Sequence, residues 1–120
     1  MSQILVADDQ LVMRNMFKAI LSQTDHDTTY TADGEEAYSA ATKTRYDLVI
    51  TDLYMPKLTG IELTKKLRKL SNYKGVPILV VSTENASDRK MEGKSAGASG
   101  WIVKPISSNK LLPALKKLLD

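Results

Sequence analysis

The stretch DLVITDLYMPKLTG, residues 47–60, decides how this chain is read. Three aliphatic residues, Leu48, Val49 and Ile50, lead into a carboxylate, Asp52, and then into Pro56 and Gly60, which punctuate an element rather than extend it. A short apolar run bounded in this way predicts a strand buried on both faces. Such a strand normally ends in a turn. Whether Asp52 is turn chemistry or part of a shared site depends on what stands at the ends of the other strands.

ILVA at 4–7, ILVV at 78–81 and WIV at 101–103 have the same length and character, and TTYT at 28–31 is a weaker, threonine-rich candidate. Between them the spacing is helical. Met13, Met16, Phe17, Ile20 and Leu21 recur at three- and four-residue steps, as do Leu63, Leu67 and Leu70, and then Leu111, Leu112, Leu115, Leu118 and Leu119. Residues 34–43 predict a less apolar helix carrying Ala37, Tyr38 and Ala41, opened by acidic residues that suit the helix dipole. Strand and helix thus alternate five times. Continuous hydrophobicity in the strands implies a parallel sheet covered by helices on both sides. With right-handed crossovers, the expected fold is a three-layer α/β, doubly wound sheet of five parallel strands in the order 2-1-3-4-5.

Two segments fit less well. NASDRKMEGKSAG, 85–97, offers a cap in Ser87 followed by Asp88, but it contains Gly93 and few apolar anchors besides Met91 and Ala96. That helix is expected to be marginally held. Pro113 falls in the second turn of the last helix, where its missing N–H predicts a kink or a later start.

In such a sheet the residues at the strand ends converge on one edge. Here they are Asp8 and Asp9 after the first strand, Asp52 after the third, Ser82 and Thr83 after the fourth, and Lys104 after the fifth. Each alone reads as a turn or a helix cap. Independent turns have no reason to supply complementary charges on one side of a sheet, so together they predict a site. Three carboxylates brought close raise one another's pKa unless a cation neutralises them. Oxygen donors without His or Cys suit a hard ion, Mg²⁺ better than Ca²⁺, because no loop with a closing Glu is present. With Lys104 and the Ser82 hydroxyl placed to take up phosphoryl oxygens, Asp52 could carry a covalent acyl phosphate.

The 120 residues suffice for one domain, 1–120, and 42% hydrophobic with 26% charged residues is a globular balance. No apolar run reaches membrane-spanning length and the N-terminus lacks a signal-peptide pattern, so a cytoplasmic chain with no membrane insertion is expected. The absence of cysteine excludes disulfides, thiolate metal sites and cysteine nucleophiles. The net charge of +3 comes from lysines spread over several helices, which reads as solvated faces rather than a nucleic-acid surface. His26 reads as a solvated loop residue, and Trp101 as a core or half-buried packing residue.

These residues resemble the receiver domain of two-component response regulators, and the resemblance spans essentially the whole chain. Asp8 and Asp9 match the family's acidic pair, Asp52 its phosphoacceptor, Ser82 its hydroxyl position, and Lys104-Pro105 its Lys-Pro step, often cis. Met55-Pro56 and Gly60 fall at the family's spacing after the phosphoacceptor, and GASGWIVKP, 97–105, is especially similar to chemotaxis-type regulators. The resemblance implies a flavodoxin-like (βα)5 fold. It implies Mg²⁺ held by Asp9, Asp52 and the backbone carbonyl of Tyr54, with Asp8 acting through water. A histidine kinase or phosphotransfer protein would supply the phosphoryl group, and a downstream protein would be met through the fourth helix, fifth strand and last helix. Trp101 stands where Phe or Tyr is usual, the aromatic that moves inward when the hydroxyl residue swings toward the phosphoryl group. Tyr54 and Glu84 occupy positions that tune dephosphorylation.

The expected function is therefore a stand-alone phospho-accepting switch of the kind used in chemotaxis and motility. It would be phosphorylated and dephosphorylated by its own residues rather than act as an enzyme. A weakly packed helix at 86–96 would then need only a small bias to shift. A receiver cut from a longer regulator would read the same. An aspartate-nucleophile phosphohydrolase would want a second acid where Tyr54 stands, and a flavin carrier would want a Ser/Thr/Gly-rich loop where DDQ, 8–10, stands. A degenerate receiver acting as an interaction module would not need the full residue set.

Overall fold

The computed structural model of the protein describes residues 2–83 and 87–119, and of 87–89 the backbone alone. Its elements run β1 Gln3–Ala7, α1 Leu11–Leu21, β2 Asp27–Thr31, α2 Gly34–Lys43, β3 Leu48–Asp52, α3 Gly60–Arg68, a 3₁₀ turn Ser71–Tyr73, β4 Ile78–Ser82, α4 Ser87–Ala96, β5 Gly100–Val103 and α5 Ser108–Leu119. The strands form one sheet in the order β2-β1-β3-β4-β5, every pair parallel. This is the three-layer, doubly wound order expected from the sequence.

Alternation along the strands sorts the core into layers. Ile4 and Val6 of β1, Leu48 and Ile50 of β3, and Leu79 and Val81 of β4 pack with Phe17, Ile20 and Leu21 of α1 and with Leu111 and Leu115 of α5. The intervening residues, Leu5, Ala7, Val49 and Ile78, pack on the opposite face against Ala37 and Ala41 of α2 and Leu63 and Leu67 of α3. Burying both faces of β1, β3 and β4 is why those runs are apolar without alternation. β2, at the sheet edge, alternates in burial instead, which explains its threonine-rich sequence.

Helix starts follow the local sequence. The Asp33 side chain accepts from the Glu36 N–H at 2.8 Å to cap α2. At α3, Thr59 and Glu62 form a reciprocal capping box, the Glu62 N–H donating to Thr59 Oγ1 and the Thr59 N–H to Glu62 Oε1. α5 begins at Ser108 and runs through Pro113 without a later start. In α4 the buried residues, among those whose side chains are described, are Gly93 and Ala96, while Met91 is exposed. The expected Ser87 cap and Glu84 lie outside the described residues. His26 is partly buried rather than fully solvated, its Nδ1 accepting from the Ser2 N–H at 3.0 Å.

Candidate functional site

Because β1 and β3 are parallel neighbours, Ala7 pairs with Thr51, and the carboxylates that follow open at one edge. Asp8, Asp9 and Asp52 each place an oxygen within 4.8 Å of the others. Asp8 is buried, Asp52 half-buried and Asp9 exposed, so the cluster grades from core to solvent. Lys104 comes from the end of β5, two strands over. Its ammonium lies 3.2 Å from Asp52 Oδ1 and 3.5 Å from Asp8 Oδ2, spanning the end of β4. Ser82, the last residue of β4, is buried there, and its carbonyl accepts from the Lys104 N–H at 2.7 Å. The Lys104–Pro105 peptide is cis. Tyr54 stands two residues past Asp52 with its side chain exposed, and Trp101 sits in β5 half-buried.

The structure thus gathers Asp8, Asp9, Asp52, Ser82 and Lys104 at one edge. Trp101 lies back along β5, paired with Val80, in a small cluster with Leu53, Ile61, Val80 and Ala96. Several supporting residues escape the sequence pattern. The Arg14 guanidinium donates to the Asp8 carbonyl at 2.7 Å, and Asp8 Oδ1 accepts from the Gln10 N–H at 3.0 Å, which together fix the first acid. Lys110 donates to the carbonyls of Val103 and Pro105, on either side of Lys104. Gly60 is required by closeness: a Cβ there would come within 2.3 Å of the Asp52 carbonyl oxygen. Only the spacing of Gly60 signalled its place; Arg14 and Lys110 are ordinary surface residues until the fold brings them near.

Electrostatically the site is short of positive charge. Three acidic side chains face one ammonium, so acids outnumber the base by two. Asp52 registers it: its pKa is pushed from 3.8 to about 6, first by burial and then by the charge of Asp8. Lys104 and the Leu53 N–H, which donates to Asp52 Oδ1 at 2.9 Å, pull the other way. Asp8 Oδ2 is buried and accepts no hydrogen bond. The neighbouring ammonium at 3.5 Å offers it charge without a formed bond. A buried carboxylate oxygen left in that state is costly. An all-oxygen set with two acids in excess and an unsatisfied oxygen fits a hard dication such as Mg²⁺.

Comparisons with known proteins agree with this geometry. The sequence model of the response regulator receiver domain matches residues 4–116. A chemotaxis protein CheY homolog of Campylobacter jejuni is 35% identical over 119 residues, covering 98% of this chain and 92% of its own. The structure of the Vibrio cholerae chemotaxis response regulator CheY4 superposes with a TM-score of 0.94 at 40% identity, covering 99% of both chains. The receiver domain of the Pseudomonas aeruginosa sensor histidine kinase PA1611, solved with a magnesium ion coordinated in its active-site cleft, superposes at 0.91 with 26% identity, covering 98% of this chain and 97% of that one. Sequence, strand order and the acidic edge converge on one assignment: this chain belongs to the response regulator receiver domains, the CheY-like signalling switches of two-component systems.

Proposed function

We propose that the chain, as a receiver domain over residues 1–120, accepts a phosphoryl group on Asp52 and signals by protein–protein contact. The observation that carries this is the convergence of Asp8, Asp9 and Asp52 within 4.8 Å around a single lysine. Asp8, Asp9, Asp52 and the backbone carbonyl of Tyr54 would hold Mg²⁺, which when bound supplies charge neutralisation for an anionic group approaching three acids. A carboxylate oxygen of Asp52 attacks phosphorus, the bond from phosphorus to the donor breaks, and the donor leaves with the electron pair. Lys104 and the Ser82 hydroxyl take the phosphoryl oxygens, and the same residues support hydrolysis of the adduct by water. The reaction is self-catalysed: the adduct is the signalling state, and its hydrolysis returns the free carboxylate and inorganic phosphate.

Partners follow from the surfaces. Leu11 and Val12, at the start of α1, and Tyr54, in the β3–α3 loop, are exposed apolar side chains adjoining Asp9 and Asp52. They form a rim on which a histidine kinase or phosphotransfer protein can seat. The face of α4, β5 and α5 carries Lys90, Lys94 and Lys117 around Trp101 and suits a downstream protein target. Likeness to chemotaxis proteins over nearly the whole chain supports a role in chemotaxis or motility. No helix among the described residues is long and apolar enough to cross a membrane, which is consistent with a cytoplasmic site of action. The same surfaces would serve a receiver belonging to a longer regulator.

Incubation with a small acyl-phosphate donor, with and without Mg²⁺, followed by intact-mass measurement tests the reading. One phosphoryl adduct is expected, dependent on Mg²⁺ and absent in Asp52→Asn. Steady phosphate release with no accumulating adduct would point to a phosphohydrolase instead, and an adduct that persists in Asp52→Asn would refute the assignment.

A further inference from the structure

In α4 glycine stands in the helix interior, where it is less favourable than alanine. The position explains the cost. A Cβ on Gly93 would lie 2.9 Å from Cζ3 and 3.2 Å from Cε3 of the Trp101 ring, so the ring rests on the bare Cα of the helix. Trp101 pairs with Val80 across the β4–β5 ladder and shares a cluster with Leu53, Ile61, Val80 and Ala96. Leu53 directly follows Asp52 and donates its N–H to that carboxylate. The outer side of the ring borders a cavity of ≈ 330 Å³ rimmed by Lys90 and Lys94.

Among its described residues α4 buries no large apolar side chain, and besides the packing of Ala96 in that cluster two contacts stand out. One is the ring on Gly93. The other is Arg68, whose Nε and Nη2 donate to the Gly97 carbonyl at 3.0 and 2.7 Å. Gly97 has φ +108° and ends the helix. The first contact tracks β5 and the cluster behind Asp52. The second pins the C-terminal end to α3.

We propose that Gly93 is a positioning residue: it is a size-matched seat for the Trp101 ring, and the fit makes ring and helix shift together about the Gly97 end when the acidic site changes state. The aromatic does not turn by itself while α4 stays fixed. The motion rests on the switch reading above; the seat does not.

A stability cycle tests the seat without any phosphoryl chemistry. Gly93→Ala should lower the thermal midpoint by about 4 °C or more in the presence of Trp101, because the methyl group overpacks the contact. In a Trp101→Ala background the same substitution should leave the midpoint unchanged or raise it. Trp101 is the sole tryptophan, so acrylamide quenching reports it alone. Quenching should increase in Gly93→Ala as the ring is pushed into the cavity. Equal effects of Gly93→Ala in both backgrounds, with unchanged quenching, would overturn the seat.

The coupled shift is read by hydrogen exchange at residues 90–97, with beryllofluoride and Mg²⁺ as the phosphoryl mimic and fluorine NMR to match occupancy. The wild-type chain should change its exchange there, and Trp101→Ala should lose most of that change at equal occupancy. The same change in both would overturn the coupling. If beryllofluoride fails to bind the wild-type chain, the switch reading falls and takes the coupling with it, while the stability cycle still decides the seat.

Discussion

Asp52 gives up solvent and gains a second carboxylate, with one ammonium and one amide to offset the loss. The balance stays unfavourable to its charge, so its pKa rises to about 6. The sign for stability follows. Between pH 3.8 and about 6 the folded chain holds a proton that the unfolded chain has released, so stability falls as pH rises through that window and levels off above it. Asp52→Asn removes the penalty. In metal-free protein near neutral pH it should stabilise the fold by on the order of 2 kcal/mol after discount for solvent screening, with the gain fading as pH falls from about 6 to 3.8. Urea denaturation of both proteins across that range checks it, and a destabilising substitution at neutral pH would contradict the electrostatic account. The placement of this carboxylate was legible in the sequence because a parallel sheet must bring its strand ends together. The hold on Asp8 by Arg14 was not, since an arginine one turn into a helix looks the same whether it faces solvent or a backbone carbonyl.

At the scale of elements, the joints between helices are made by single polar side chains that no periodicity reveals. Arg68 closes α3, and besides Gly97 it donates to the carbonyls of Tyr73 and Val76, so one guanidinium serves three backbone carbonyls in two segments of the chain. Burial holds its pKa below the usual arginine value. Its planar fork matters here. Arg68→Met should cost about 2 kcal/mol by leaving those carbonyls short of donors, and Arg68→Lys should recover little, because a point ammonium cannot reach all three. Chemical denaturation gives the costs, and full recovery by lysine would show that charge rather than geometry holds the joint. Tyr73 plays a similar part: its hydroxyl accepts from the Tyr46 N–H and reaches the carbonyls of Ala41 and Thr44, tying the 3₁₀ turn to the end of α2. That turn went unread because three residues carry no period. Strands, by contrast, were legible to within one or two residues, since burial on both faces leaves its mark directly on composition. The glycine in α4 read as a local weakness because the ring that requires it arrives from β5.

For the whole molecule the fold and the site answer to one constraint. A doubly wound sheet buries its middle strands on both faces, which stabilises the core, and the same geometry forces three acids into one mouth, which opposes it. A ligand that binds only the folded arrangement of those acids must then stabilise the entire chain. Mg²⁺ at about 100 times its dissociation constant should add about 2.7 kcal/mol and raise the thermal midpoint accordingly. The rise should shrink in Asp52→Asn and in Asp9→Asn. A midpoint indifferent to Mg²⁺ would mean that the acid cluster is not a metal site. The central claim, that Asp52 rather than its neighbours takes the phosphoryl group, is tested most directly by reducing the labelled protein with borohydride and sequencing its peptides by mass spectrometry. An acyl phosphate on Asp52 would be read out as homoserine at position 52 alone, dependent on Mg²⁺; homoserine at position 8 or 9, or a borohydride-resistant phosphoryl group on Ser82, would contradict it.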